Sequence, residues 1–302
     1  MSAHLIGRWL AGSADWHAAR VGKMSGARIA AAAGLSPYES PFSLFHRMLG
    51  EIGEAEVTAP MEWGTRLEDA VFQKFVDMHP ELQVCKTGTW VHDERDWQTG
   101  NPDGLIPDQS TGDWAAILEI KTARYDDGWG IQGTDQIPLH YKIQVWWYLD
   151  VLGLDKAHVA VLIAGSDYRE YIVMHDADEC EVLRQIGSDF LTRLASDDRP
   201  DIDQYGATYQ AIKELHPLID GSAVSVSDDT GLAVIHAREQ LNRAEELDQL
   251  ARNVLADEIG NAKYANWRGQ RLADRRVRKS PGSIPYVQLV NNLPSTDLKE
   301  VS

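Results

Sequence analysis

Asn101-Pro102-Asp103-Gly104, followed by Ile117-Leu118-Glu119-Ile120-Lys121, sets an acidic turn ahead of an apolar strand that ends in a Glu-x-Lys step. Pro-Asp-Gly is turn chemistry, and Ala115 to Ile120 reads as a strand. Side chains alternate along a strand, so Glu119 and Lys121 share one face while Leu118 and Ile120 share the other and can enter a core. Asp103 and Glu119 are hard oxygen donors suited to Mg²⁺, with Mn²⁺ as a substitute, and the Ile120 carbonyl can add a third oxygen. Lys121 is then placed to hold or deprotonate a water, while the cation offsets charge building on a phosphate. A turn aspartate and a solvent-facing Glu/Lys pair would give the same letters, so the surrounding chain has to decide.

Working outward, Gln83–Cys85, Gly88–His92, Gln98–Thr99, Gly104–Pro107 and Ala115–Ile120 read as one meander of short strands. Ahead of it, Ser25–Gly34 predicts a short helix with Ser25 as N-cap, and Pro41–Gly50 predicts a second. From Met61 the spacing of Leu67, Val71, Phe72, Phe75 and Val76 predicts an amphipathic helix with Glu68 beside its apolar stripe, facing a cleft. After the Glu-x-Lys strand, Tyr141, Val145, Tyr148 and Leu149 or Leu152 mark a helix over His140–Leu152. Lys156–Ala164 and Tyr168–Met174 form a strand pair around a Gly165–Asp167 turn, and Asp178–Leu194 forms a further helix. The expected architecture is therefore α/β (α+β), a central mixed sheet flanked by helices.

Composition shifts after Pro200. Gly221–Asp229 reads as a linker, Leu232–Ile259 as a long charged helix that packs on the first domain or on a partner, and Lys263–Lys279 as a basic run. That run (Lys263, Arg268, Arg271, Arg275, Arg276, Arg278, Lys279) is either a solvated face or a DNA contact. Two regions follow, 1–215 and a C-terminal helical extension, 216–302.

A net charge of −17 excludes coating of nucleic acid by bulk electrostatics, because phosphate neutralisation needs clustered cations. A bound divalent cation can still invert the field locally. Cys85 and Cys180 lie 95 positions apart (180 − 85) without a Cys/His cluster, which excludes iron-sulfur and structural zinc readings. No apolar run reaches the roughly 20 residues of a membrane span, and Met1–Leu10 lacks a signal-type segment, so a cytoplasmic protein is expected. Of the 10 tryptophans, Trp16, Trp63, Trp146 and Trp147 fall in apolar periodic stretches and are expected in the core.

Six blocks then occur in order: WHAAR (Trp16–Arg20), SGARIAAAAGLSPYESP (Ser25–Pro41), MEWGTRLEDAVFQKF (Met61–Phe75), NPDGLI (Asn101–Ile106), LEIKTA (Leu118–Ala123) and IPLHYKIQVWWYLDVLG (Ile137–Gly153). Together they resemble the YqaJ-type viral recombinase family, lambda exonuclease-like members of the PD-(D/E)xK nuclease superfamily, over about the first two-thirds of the chain. The resemblance implies a restriction-endonuclease-like core. It also implies 5′ to 3′ exonuclease digestion of linear double-stranded DNA, leaving 3′ overhangs, and a phage- or prophage-encoded protein of a bacterial host. A single-strand annealing protein as partner and a homo-oligomer, of trimer type, are implied as well. By position it makes Asp103, Glu119 and the Ile120 carbonyl metal ligands, and Lys121, Glu68 and Gln144 catalytic residues. Arg20 and Ser25 match positions suited to gripping a 5′-phosphate, with a surface salt bridge and an N-cap as their alternatives. Asn101, Arg124 and Tyr148 are further candidates for DNA contact. Asn101 stands where relatives often carry serine, and Asp126 and Asp127 stand where a basic residue is expected. Two other functions remain open: an endonuclease of the same superfamily, and a noncatalytic DNA-end or recombinase-binding module.

Overall fold

The computed structural model describes residues 2–9, 12–280 and 282–294. The chain divides into two compact units, Met1–Leu218 and Ile219–Ser302. The first begins with β1 (Ala3–Gly7), α1 (Ala14–Ala19), α2 (Gly26–Ala32), α3 (Pro41–Leu49) and α4 (Ala59–Met78). It continues through β2 (Cys85–Lys86), β3 (Thr89–His92), β4 (Thr99–Gly100), β5 (Gly104–Pro107) and β6 (Trp114–Ala123). It closes with α5 (Leu139–Leu152), β7 (Lys156–Ile163), β8 (Asp167–Met174), α6 (Ala177–Ala195) and α7 (Gly206–Leu215).

The central sheet has the order β2-β5-β6-β7-β8, with β6 and β7 parallel and the other pairs antiparallel. A parallel neighbour demands a crossover, and α5 is that crossover. The alternation read from sequence sorts β6 onto two faces. Ala116, Leu118 and Ile120 pack with Val71 and Phe75 of α4, whereas Ile117 joins Trp147, Leu149, Val159 and Tyr171 on the α5 side. The expected mixed sheet between helices is present, and Glu119 and Lys121 belong to the α5 face.

Several expectations change. The run of short strands is not one meander: β3 and β4 leave the central sheet and pair with the unforeseen N-terminal β1 in the order β1-β3-β4. Short strands carry no signal for which partner they will find, so local pattern reads both sheets as one. Helix α4 starts at Ala59, capped by the Thr58 hydroxyl and with a proline in its first turn. Its first half rides clear of the core, which leaves Trp63 61% exposed, against the expectation of burial. Trp16 is half-buried, while Trp146 and Trp147 are buried as expected. Helix α5 is buried on every face from Val145 to Leu152 because the sheet, α2, α6 and the small sheet surround it. Ser25 occupies the N-cap position of α2, yet its side chain makes no capping bond. Helix α7 was not anticipated from sequence.

The second unit holds α8 (Asp228–Ile259) and an antiparallel sheet of β9 (Tyr264–Trp267), β10 (Gln270–Arg276) and β11 (Tyr286–Leu289), in the order β11-β10-β9. Helix α8 begins inside the expected linker, where Ser227 caps it. The expected basic tail is a hairpin: Arg268 and Gly269 both take positive φ (47° and 77°), the geometry of a two-residue type I′ turn. Arginine seldom accepts that conformation, so the turn was masked by its charge. Among the described residues, no helix is long and apolar enough to cross a membrane.

Candidate active site

Gly104 lets the site close. A Cβ there would stand 3.3 Å from the Leu118, Phe72 and Val84 side chains, so any larger residue would have to push these neighbours aside between α4 and β6. Asp103 is thereby pressed against β6, where its Oδ2 accepts a 2.7 Å hydrogen bond from the Ile120 amide. A residue's N–H and C=O leave a strand on the same side, so the Ile120 carbonyl also points to the Asp103 side.

Glu119 is 2% exposed. Its Oε1 accepts from Lys121 Nζ at 2.5 Å and from Gln144 Nε2 at 2.8 Å. Gln144 also donates to the Tyr148 hydroxyl at 3.0 Å, which ties α5 to the site. Oε2 of Glu119 is buried with no partner, an expensive state for a carboxylate oxygen and one that a cation would relieve. Burial, and then Glu119, raise the Asp103 carboxyl to about 7. Glu119 is raised by burial as well, against the pull of Lys121. On α4, Glu68 is half-buried and raised by burial and then by Asp103, which brings a third carboxylate into the same field. Burial acts to lower the Lys121 ammonium, but Glu119 and Asp103 outweigh it and the net shift is upward. Lys121 therefore stays a cation beside the two carboxylates. Two or three carboxylates raised by burial and mutual repulsion, plus a backbone oxygen, are a donor set that fits a hard divalent ion.

Arg20 lies over the Trp16 ring at 3.9 Å and donates to Ser25 Oγ at 2.6 Å. Ser25 thus orients the guanidinium instead of capping α2. Arg28, which sequence reasoning passed over, donates to the Arg20 and Lys23 carbonyls at 2.6 and 2.8 Å. Among the described residues neither Arg20 nor Arg28 forms a salt bridge, and the Arg20 guanidinium is lowered to about 10 by burial and then by Arg28. Two half-buried guanidiniums without a carboxylate partner in a chain of charge −17 make a local anion-attracting spot.

The remaining candidates are less closely joined. Asn101 is exposed and accepts from Thr89 at 3.4 Å, at the edge of the small sheet. Arg124 is exposed beyond the end of β6, with its guanidinium 5.2 Å from the Tyr125 ring. Tyr148 is buried behind Gln144, so its hydroxyl meets the glutamine rather than an open surface. Asp150, His175 and Cys180 also converge, with ligand atoms within 4.8 Å of one another. That group does not fit a metal. Asp150 already accepts from Arg184 at 2.5 Å and Gln98 at 2.7 Å, and burial, then Asp150, push the Cys180 thiol up to about 12.

A mixed sheet with an acidic turn before one strand and Glu-x-Lys within it, between two helical layers, is the fold expected from the PD-(D/E)xK pattern. Residues 15–155 match the family model of the YqaJ-like viral recombinase domain. No curated protein matches the chain. Among solved structures it is similar to an alkaline exonuclease from Laribacter hongkongensis, at 19% identity and a TM-score of 0.46, over 62% of this chain and 94% of that one. It is also similar to a phage-related exonuclease from Haemophilus somnus, at 16% identity and a TM-score of 0.37, over 64% and 92%.

Proposed function

We propose that the chain is a divalent-metal-dependent deoxyribonuclease that digests linear double-stranded DNA from its 5′ ends and leaves 3′ single-stranded overhangs for phage-type recombination. The observation that carries this reading is Glu119, buried with one oxygen unpaired, next to Asp103 and clasped by Lys121 and Gln144. Asp103, Glu119 and the Ile120 carbonyl would hold Mg²⁺, or Mn²⁺ in its place, with Glu68 at its waters. The ion would supply Lewis-acid stabilisation to the scissile phosphate. Lys121 holds the attacking water or a phosphate oxygen, and Gln144 fixes the Glu119 carboxylate by donating to it. Arg20, oriented by Ser25 and backed by Arg28, grips a terminal 5′-phosphate, while Asn101 and Arg124 meet the strand further out.

In this reading residues 1–215 are the nuclease domain and 216–302 an extension that serves assembly or DNA contact. The partners are DNA ends, further copies of the chain and a single-strand annealing protein, in the cytoplasm of a bacterial host. The test is release of mononucleotides from 5′-phosphorylated and 5′-hydroxyl duplexes with Mg²⁺ or EDTA. Glu119→Gln and Lys121→Met are expected to lose about 100-fold or more in rate. Full activity in either variant would remove this centre from the chemistry, no release by native protein would point to a noncatalytic module, and cutting of closed circles would point to an endonuclease.

A further inference from the structure

The turn between α2 and α3 carries Tyr38 with 71% of its surface exposed. Its hydroxyl lies 3.3 Å from the Tyr141 hydroxyl, and its ring stands edge-on to the His140 imidazole, with centroids 5.6 Å apart at 83°. His140 in turn lies against the Tyr141 ring at 4.0 Å, and Tyr141 lies 5.0 Å from Lys121 Nζ. A continuous run of rings therefore leads from the ammonium beside Glu119 to an open aromatic face.

That run is built to offer π-surface and not charge. Burial, and second Lys121, lower the His140 pKa, so the imidazole is neutral near pH 7. Burial raises the Tyr141 phenol, which stays protonated and shares its hydroxyl with Tyr38. Edge-to-face contact with His140 and the hydroxyl pair hold Tyr38 in place without covering its ring. The rest of the ring is left open to water. Placed one side chain away from a group that handles phosphate, it has the reach and the chemistry to stack on a base.

We infer that Tyr38, backed by His140 and Tyr141, is a nucleobase-stacking subsite for the nucleotide whose phosphate lies at the Asp103–Glu119–Lys121 centre. The inference rests on the nuclease reading for the identity of that phosphate. Every base has a π-face, so the subsite selects for an unstacked base and not for a sequence. A terminal nucleotide must leave its pair to reach Tyr38, and frayed or unpaired ends are accordingly favoured.

The test is equilibrium binding of dGMP and of 2-deoxyribose 5-phosphate to the full chain in Mg²⁺, with native protein, Tyr38→Ala and Tyr38→Phe. Native protein is expected to bind dGMP roughly tenfold more tightly than the sugar phosphate. The advantage should vanish in Tyr38→Ala and persist in Tyr38→Phe, since the ring and not the hydroxyl supplies it. An advantage that survives Tyr38→Ala, or no advantage in native protein, overturns the subsite. Binding requires no turnover, so a failure here leaves the hydrolysis assay standing. Loss of hydrolysis in native protein with base preference intact would instead remove the nuclease reading.

Discussion

Replacing Asp103 by asparagine should make the metal-free protein more stable while abolishing its response to Mg²⁺. The Asp103 carboxyl is held at about 7 against an ordinary 3.8, so the folded chain keeps a proton that the unfolded chain releases between those values. Stability from this group therefore falls as pH rises from about 4 to about 7, and the deficit is complete above that range. At 1.36 kcal/mol per pH unit the gap amounts to about 4 kcal/mol as an upper bound. Asp103 and Glu119 repel one another and titrate as a pair, so the gap is shared between them, which leaves an expected gain of about 1–3 kcal/mol for Asp103→Asn. Asparagine keeps an oxygen for the Ile120 amide, so no hydrogen bond is lost. Urea unfolding in EDTA at about pH 8 should show the gain, which should shrink as pH falls from about 7 to about 4, and the variant and native curves should converge only near about pH 3, where both folded and unfolded aspartate are protonated. Adding Mg²⁺ at the higher pH should stabilise native protein and leave the variant unmoved. A variant less stable than native protein in EDTA at the higher pH would refute the account of two repelling buried carboxylates.

The other predictions concern the surroundings of this centre. Gly26→Ala should cost roughly 1–3 kcal/mol and lower turnover, because the added carbon would stand 2.7 Å from Tyr148 and 2.8 Å from Gln144, pushing the glutamine off Glu119; thermal unfolding and single-turnover rates check both. Arg20→Ala should erase a preference for 5′-phosphorylated over 5′-hydroxyl ends, by about tenfold in kcat/KM, with Arg28→Ala showing a smaller loss. Apparent Mg²⁺ affinity, followed by calorimetry, should weaken by up to about tenfold per pH unit below about 7, because the ion must displace the Asp103 proton. A chain ended after Leu218 should keep EDTA-sensitive hydrolysis, since every candidate site residue lies in the first unit; loss of its circular dichroism signal or of activity would tie the extension to the nuclease.

How far the chain could be read beforehand depended on whether a feature was local. The turn at Asp103, the alternation that pairs Glu119 with Lys121, and the helices α3 and α5 follow from spacing over a few residues, and the structure has them. Trp63 was misjudged because periodicity locates an apolar stripe but not the length over which a neighbour covers it. The β9–β10 hairpin was missed because its turn is Arg-Gly, a pair without the usual turn signature. Arg28 carried no motif; only its carbonyl contacts and its lack of a carboxylate mark it out.

By itself, then, the sequence determined which residue types stand on which face of β6 and that two oxygen donors precede a lysine, since backbone geometry alone enforces that alternation. Only the tertiary structure decided that α5 would bring Gln144 and Tyr148 against Glu119, that β3 and β4 would leave the central sheet for β1, and that Tyr38 would remain open above His140. Those outcomes depend on which distant surfaces exclude water from one another, and nothing in a short window of residues encodes that choice.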